Sequence, residues 1–160
     1  MAQSDDPGHP DYWLRFLSEA QPLFESAPAA PPSIETLRSL YTHVLRAYHH
    51  TCALTGRAYE PATDFLHDHL EIVAIKPLGT GGLLHADNFL ALERVAAAAF
   101  RDGHLTIGPG LQIIADLATL DPELLERLAP GGRLMLPAAG TARPDPAALA
   151  FHREHIFMRR

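Results

Sequence analysis

The stretch from Leu70 to Gly103 does most to restrict what this chain can fold into. Leu70-Glu71-Ile72-Val73-Ala74-Ile75 is apolar and β-branched and stops at Pro77, which predicts a strand. A glycine-rich loop, Gly79-Thr80-Gly81-Gly82, leads through Asp87-Asn88 to a second apolar run, Phe89-Leu90-Ala91-Leu92. A helix from Glu93 to Phe100 follows at once, favoured by four consecutive alanines and stopped by Asp102-Gly103.

The flanks carry their own punctuation. Upstream, Ser33 caps a helix whose apolar stripe runs through Ile34, Leu37, Leu40, Tyr41, Val44, Leu45 and Tyr48 and ends near His49-His50. Thr51 to Gly56 reads as a short strand and turn, with Cys52 as a small core residue beneath it. Downstream, His104–Ile107 and Leu111–Ile114 flank Gly108-Pro109-Gly110, which predicts a hairpin. Asp121-Pro122 starts a helix that Gly131-Gly132 closes, Arg133–Leu136 is a further strand candidate, and Asp145-Pro146 starts the last helix. The pattern is α+β with small sheets.

Residues 1–32 read as an N-terminal arm with a Pro/Ala-rich linker, and residues 33–160 as the folded domain. The arm holds a candidate helix from Asp11 to Phe24, whose aromatics are expected either to be mobile or to pack on this domain or a second copy, giving a homodimer. No apolar run is long enough to span a membrane, the first residues are acidic, and the lone Cys52 has no disulfide partner, so a cytoplasmic setting is expected. Thirteen Lys and Arg face nineteen Asp and Glu, a net charge of −6 with only one lysine, Lys76. Duplex affinity comes largely from basic groups displacing counterions, so this balance weighs against tight nonspecific DNA binding.

A more specific reading comes from short elements occurring in a fixed order. They are Cys52-Ala53-Leu54-Thr55-Gly56; Leu70-Glu71-Ile72-Val73-Ala74-Ile75-Lys76-Pro77; Gly81-Gly82; Asn88; Leu90 and Leu92; Phe100-Arg101-Asp102-Gly103; and Leu105-Thr106-Ile107. Near the C-terminus come Leu136-Pro137, Arg143-Pro144-Asp145-Pro146 and Leu149 to Phe157. In this order they resemble one branch of the HNH endonuclease superfamily (the ββα-metal or His-Me finger enzymes). The resemblance implies a ββα-metal core with flanking helices and short β-hairpins. In that family a histidine at the strand end activates water, an asparagine pins the loop, and a helix residue ligates a divalent ion that stabilises the leaving oxygen.

The departures from the family pattern fall on the chemistry. The base position is Ala74, the helix ligand position is Ala97, the residue before the base is Val73, and only Asn88 of the three motif residues remains. A methyl group neither accepts a proton nor holds a cation, and loss of a positioned base costs roughly 10² to 10⁴ in rate. No catalytic residue, metal or other cofactor is therefore expected. Arg101 stands where the branch has aspartate.

His67, His69 and His85 are the candidates for a rescued site, which would take Mg²⁺, Mn²⁺, Ni²⁺ or Zn²⁺. His69 lies five residues before Ala74, about 16 Å at roughly 3.3 Å per strand residue, too far to substitute directly. His152 and His155 are expected to make structural hydrogen bonds. Three functions stay open: a non-cleaving module that recognises double-stranded DNA or regulates; a protein-interaction or dimerisation module; and an active endonuclease with a displaced site. For the first, Lys76, Arg94, Arg101, Arg159 and Arg160 are the candidate phosphate contacts.

Overall fold

The computed structural model describes residues 33–63, 66–138 and 142–157; the expected arm and linker, and Arg159 and Arg160, lie outside them. Helix α1 (Ile34–Ala47) begins where the Ser33 hydroxyl accepts a hydrogen bond from the Thr36 N–H at 3.1 Å. Glu35 in its first turn and Arg46 in its last complement the helix dipole. It buries Leu37, Tyr41, Val44, Leu45 and Ala47, while Ile34 sits at the exposed end of the apolar stripe. The helix stops because His49 and His50 turn left-handed, at φ of 52° and 53°.

Strands β1 (Leu70–Ala74) and β2 (Phe89–Glu93) form an antiparallel hairpin that pairs Leu70 with Glu93 and Ala74 with Phe89. Helix α2 (Arg94–Arg101) leaves β2 without a connecting loop, so Glu93 ends the strand and does not begin the helix. Every residue of β2 is buried, which requires cover on both faces, and α1 and α2 both pack on the hairpin. Asp102 caps α2, and Gly103 supplies the left-handed turn at φ 77° that takes the chain into the next strand.

A second antiparallel pair, β3 (Leu105–Ile107) and β4 (Ile113–Ala115), forms the hairpin expected around Gly108-Pro109-Gly110. Short helices α3 (Pro122–Arg127) and α4 (Pro146–Phe151) each start on an aspartate cap followed by proline. The architecture is α+β, with two small antiparallel sheets and helices around one core.

Two further local expectations are corrected. Helix α3 ends at Arg127, because Leu128 and Ala129 become extended ahead of Pro130 and Gly131-Gly132 belong to a separate 3₁₀ turn. Arg133–Leu136 is not a strand: Leu134 donates to Leu111 and Met135 to Ala53, so successive amides serve different partners and no ladder forms. The last helix continues as a π-helix over His152–Phe157.

Candidate functional site

The candidate site lies at the loop end of the β1–β2 hairpin, where residues 75–88 join the strands, and on helix α2, which packs on the hairpin. Cys52, Ala53 and Leu54 are fully buried beneath it, and the Ala53 N–H donates to the Ala91 carbonyl of β2 at 2.9 Å. Ala129 donates to Leu54 and Met135 to Ala53, so this turn also anchors the C-terminal third.

Asn88 organises the loop. Its carboxamide oxygen accepts from the Lys76 N–H at 2.9 Å, and its nitrogen donates to the carbonyls of Lys76 and Leu83, both at 3.0 Å. The Ile75 N–H reaches the Asn88 carbonyl at 2.8 Å, continuing the hairpin past its last paired residue. One buried side chain thus closes the loop across twelve residues by satisfying backbone groups that would otherwise be unpaired. Gly82 is part of the same fit, since a Cβ there would stand 1.9 Å from the Lys76 carbonyl oxygen.

Around this loop, Ala74 is half-buried at the end of β1, opposite Phe89. Ala97 is fully enclosed in the core face of α2, with Ala96, Ala99 and Phe100. The geometry therefore contains a loop-pinning carboxamide, a methyl group at the strand end and a methyl group on the helix. Among the described residues, no three His, Cys, Asp or Glu side chains are grouped so as to hold a metal ion.

The three histidines considered for a rescued site do not come together there. His67 is buried: its Nδ1 accepts from the N–H groups of both His69 and Leu70, and its Nε2 donates to the Glu60 carbonyl. An Nδ1 that accepts two backbone bonds is unprotonated, which fixes the neutral Nε2–H form. The exposed His69 ring stacks on Tyr59 at 5.0 Å. His85 is exposed, and its carbonyl accepts from the Asn88 N–H. Burial, with the neighbouring charge of Arg46, pushes the His50 imidazole below its ordinary pKa.

The candidate phosphate contacts are dispersed. Lys76 places its ammonium 4.8 Å from the centre of the Phe151 ring. Arg101 reaches Glu71 of β1 at 3.4 Å, tying the end of α2 back to the hairpin. Arg94 is exposed in the first turn of α2.

Two polar clusters carry more structure than their sequence positions suggest. Glu93 is 4% exposed and accepts from Arg127, from the Thr55 hydroxyl at 3.0 Å and from the Tyr59 hydroxyl at 3.3 Å. These partners are far apart in sequence, and the only local clue was a charged residue closing an otherwise apolar strand. His152 is 1% exposed, stacks on Phe100 at 3.8 Å, donates from Nε2 to the Phe100 carbonyl and accepts at Nδ1 from the Thr106 hydroxyl. Burial lowers its pKa to about 4, so it sits neutral between its two partners.

Among known proteins, this chain is similar to a solved structure described as a modification-dependent TagI restriction endonuclease. The two share 22% identity at a TM-score of 0.57, over 74% of this chain and 37% of that one. The fold is nuclease-like. The chain spans little more than a third of the length of the endonuclease it matches. No protein-family model and no curated protein matches the sequence. Among the described residues, no helix is long and apolar enough to cross a membrane.

Proposed function

We propose that this chain is a catalytically degenerate HNH-type nuclease domain that recognises double-stranded DNA without cutting it. The reading rests on a contrast within one loop. Asn88 makes the three hydrogen bonds that would aim a catalytic base, while the positions for base and metal ligand are Ala74 and Ala97. Without an imidazole at the strand end, the usual route to a hydroxide nucleophile is missing, and without the helix ligand so is the usual hold on the ion. His67 commits both ring nitrogens to backbone groups, which supports the view that no neighbouring histidine replaces the lost base.

A DNA partner is supported by the likeness to a restriction endonuclease, a likeness of fold. The net charge of −6 means that binding has to come from local basic clusters. Fluorescence anisotropy with a short duplex at low salt, run beside plasmid nicking with Mg²⁺, Mn²⁺, Ni²⁺ and Zn²⁺, tests the proposal. Binding without nicking is expected. Metal-dependent cleavage abolished by His69→Ala would overturn the non-cleaving reading, and absence of duplex binding would overturn DNA recognition.

A further inference from the structure

On the side of the molecule built by the β3–β4 hairpin and the approach to α4 lies a cleft of about 350 Å³. Three arginines, Arg133, Arg143 and Arg153, line it, and no carboxylate is among its described lining residues. In a chain whose acidic residues outnumber its basic ones, nineteen to thirteen, three arginines with no carboxylate in the same lining make a local positive field against the overall charge. The three come from separate segments, so only the tertiary fold brings them together.

Two of these side chains are held in place before any ligand arrives. Arg133 donates from Nη2 to the Gly110 carbonyl at 2.9 Å, and Arg153 from Nη1 to the Ile107 carbonyl at 3.0 Å. Both acceptors lie at one hairpin turn, and a guanidinium has five N–H donors, so each arginine is anchored by one and keeps others free. The turn is itself firmly set. Gln112 accepts the Gly110 N–H at its side-chain oxygen at 2.8 Å, and a Cβ on Gly108 would lie 2.4 Å from the Gln112 amide. Arg133 is further fixed by its bridge to Gln112 and by the bond from Leu134 to Leu111.

The acidic residues beside these arginines in sequence are directed elsewhere. Asp145 uses its carboxylate to cap α4, accepting from Ala147 and Ala148. The Glu154 side chain is 72% exposed and stands 4.0 Å from His155. Leu111, Pro146 and Leu149 supply an apolar wall to the same cleft. Arginines that share one cleft, with unspent donors and no carboxylate in its lining, match the chemistry of phosphate.

We propose that this cleft binds a phosphate group, supplied by the backbone of the duplex that the proposed function requires. The inference rests on that reading for the source of the phosphate, though not for the chemistry of the cleft. Arg143→Gln tests it cleanly, because Arg143 is exposed and makes no hydrogen bond or ion pair among the described residues. The triple variant Arg133→Gln, Arg143→Gln, Arg153→Gln, checked for folding by circular dichroism, extends the test.

In duplex anisotropy at roughly 50 mM salt, Arg143→Gln is expected to weaken binding several-fold and the triple variant by about ten-fold or more. The salt dependence of log K should become shallower by about one for each phosphate contact removed. Calorimetry with inorganic pyrophosphate, on the same proteins, separates the sources. If the wild type binds duplex and the variants bind it equally well with unchanged salt slope, the cleft proposal is overturned while DNA recognition stands. If the wild type ignores duplex but binds pyrophosphate, and Arg143→Gln abolishes this, the phosphate cleft is upheld and the DNA reading falls. If neither probe binds, both are overturned.

Discussion

Asn88 grips both faces of the peptide backbone at Lys76, its carboxamide accepting from the N–H at 2.9 Å and donating to the carbonyl at 3.0 Å. The pairing works like a strand residue clasping its neighbour, but a side chain performs it. It keeps the loop after β1 closed whether or not any chemistry takes place beside it.

Replacing Asn88 by alanine should cost about 2–4 kcal/mol, because three backbone partners lose their bonds in a partly buried setting. Asn88→Asp, which sets a buried carboxylate oxygen against the Lys76 and Leu83 carbonyls, should cost at least as much at neutral pH. Urea midpoints at constant m-value measure both, and an unchanged midpoint for Asn88→Ala would remove the side chain from its role as the pin.

Restoring imidazoles tests the register of the site. The double variant Ala74→His, Ala97→His should gain affinity for Ni²⁺ or Zn²⁺ by calorimetry, well beyond either single change. Ala97 is wholly enclosed, so the larger side chain there should first cost about 1–3 kcal/mol through overpacking. Metal should raise the melting temperature of the double variant and recover part of that loss. No gain in metal affinity would mean that positions 74 and 97 do not face one site.

The Glu93 cluster holds the hairpin, the Thr55 turn and α3 together. Arg127→Met should cost about 2 kcal/mol, less than for a fully buried pair because the arginine is 39% exposed. Thr55→Val should add its own loss. A double-mutant cycle over Arg127 and Thr55 should show coupling, since both donate to the same carboxylate; strict additivity would argue against a shared network.

His152 makes stability depend on pH in a defined direction. Its folded pKa of about 4 lies below the unfolded value of 6.5, so between those values the unfolded chain binds the extra proton. The contribution is complete above pH 6.5 and declines as pH falls toward 4, by roughly 3 kcal/mol in all at 1.36 kcal/mol per pH unit. His152→Gln should lower stability at neutral pH and flatten that part of the profile in chemical denaturation. An equally steep profile in the variant would assign the dependence to other groups.

Local signals in the sequence located most elements because their causes are local. Ser33, Asp121 and Asp145 cap helices with their own side chains, and Gly103 provides a left-handed turn that a Cβ would resist. The failures came where the partner is distant. Arg133–Leu136 looked like a strand, but its amides are divided between Leu111 and Ala53. Glu93 looked like the start of a helix and is instead the buried acceptor for residues up to 38 positions away.

The sequence by itself determined the order of hairpin and helix, the alanines at positions 74 and 97, and the presence of Asn88 between them. These follow from residue identity and periodicity, which act over a few residues. Only the tertiary structure decided that His67 would commit both ring nitrogens to backbone groups and that Lys76 would lie over Phe151. It alone drew Arg133, Arg143 and Arg153 to one cleft while Arg94 and Arg101 stayed apart on α2. Charge acts through space, so composition can count arginines, but the folded chain sets which of them share a field.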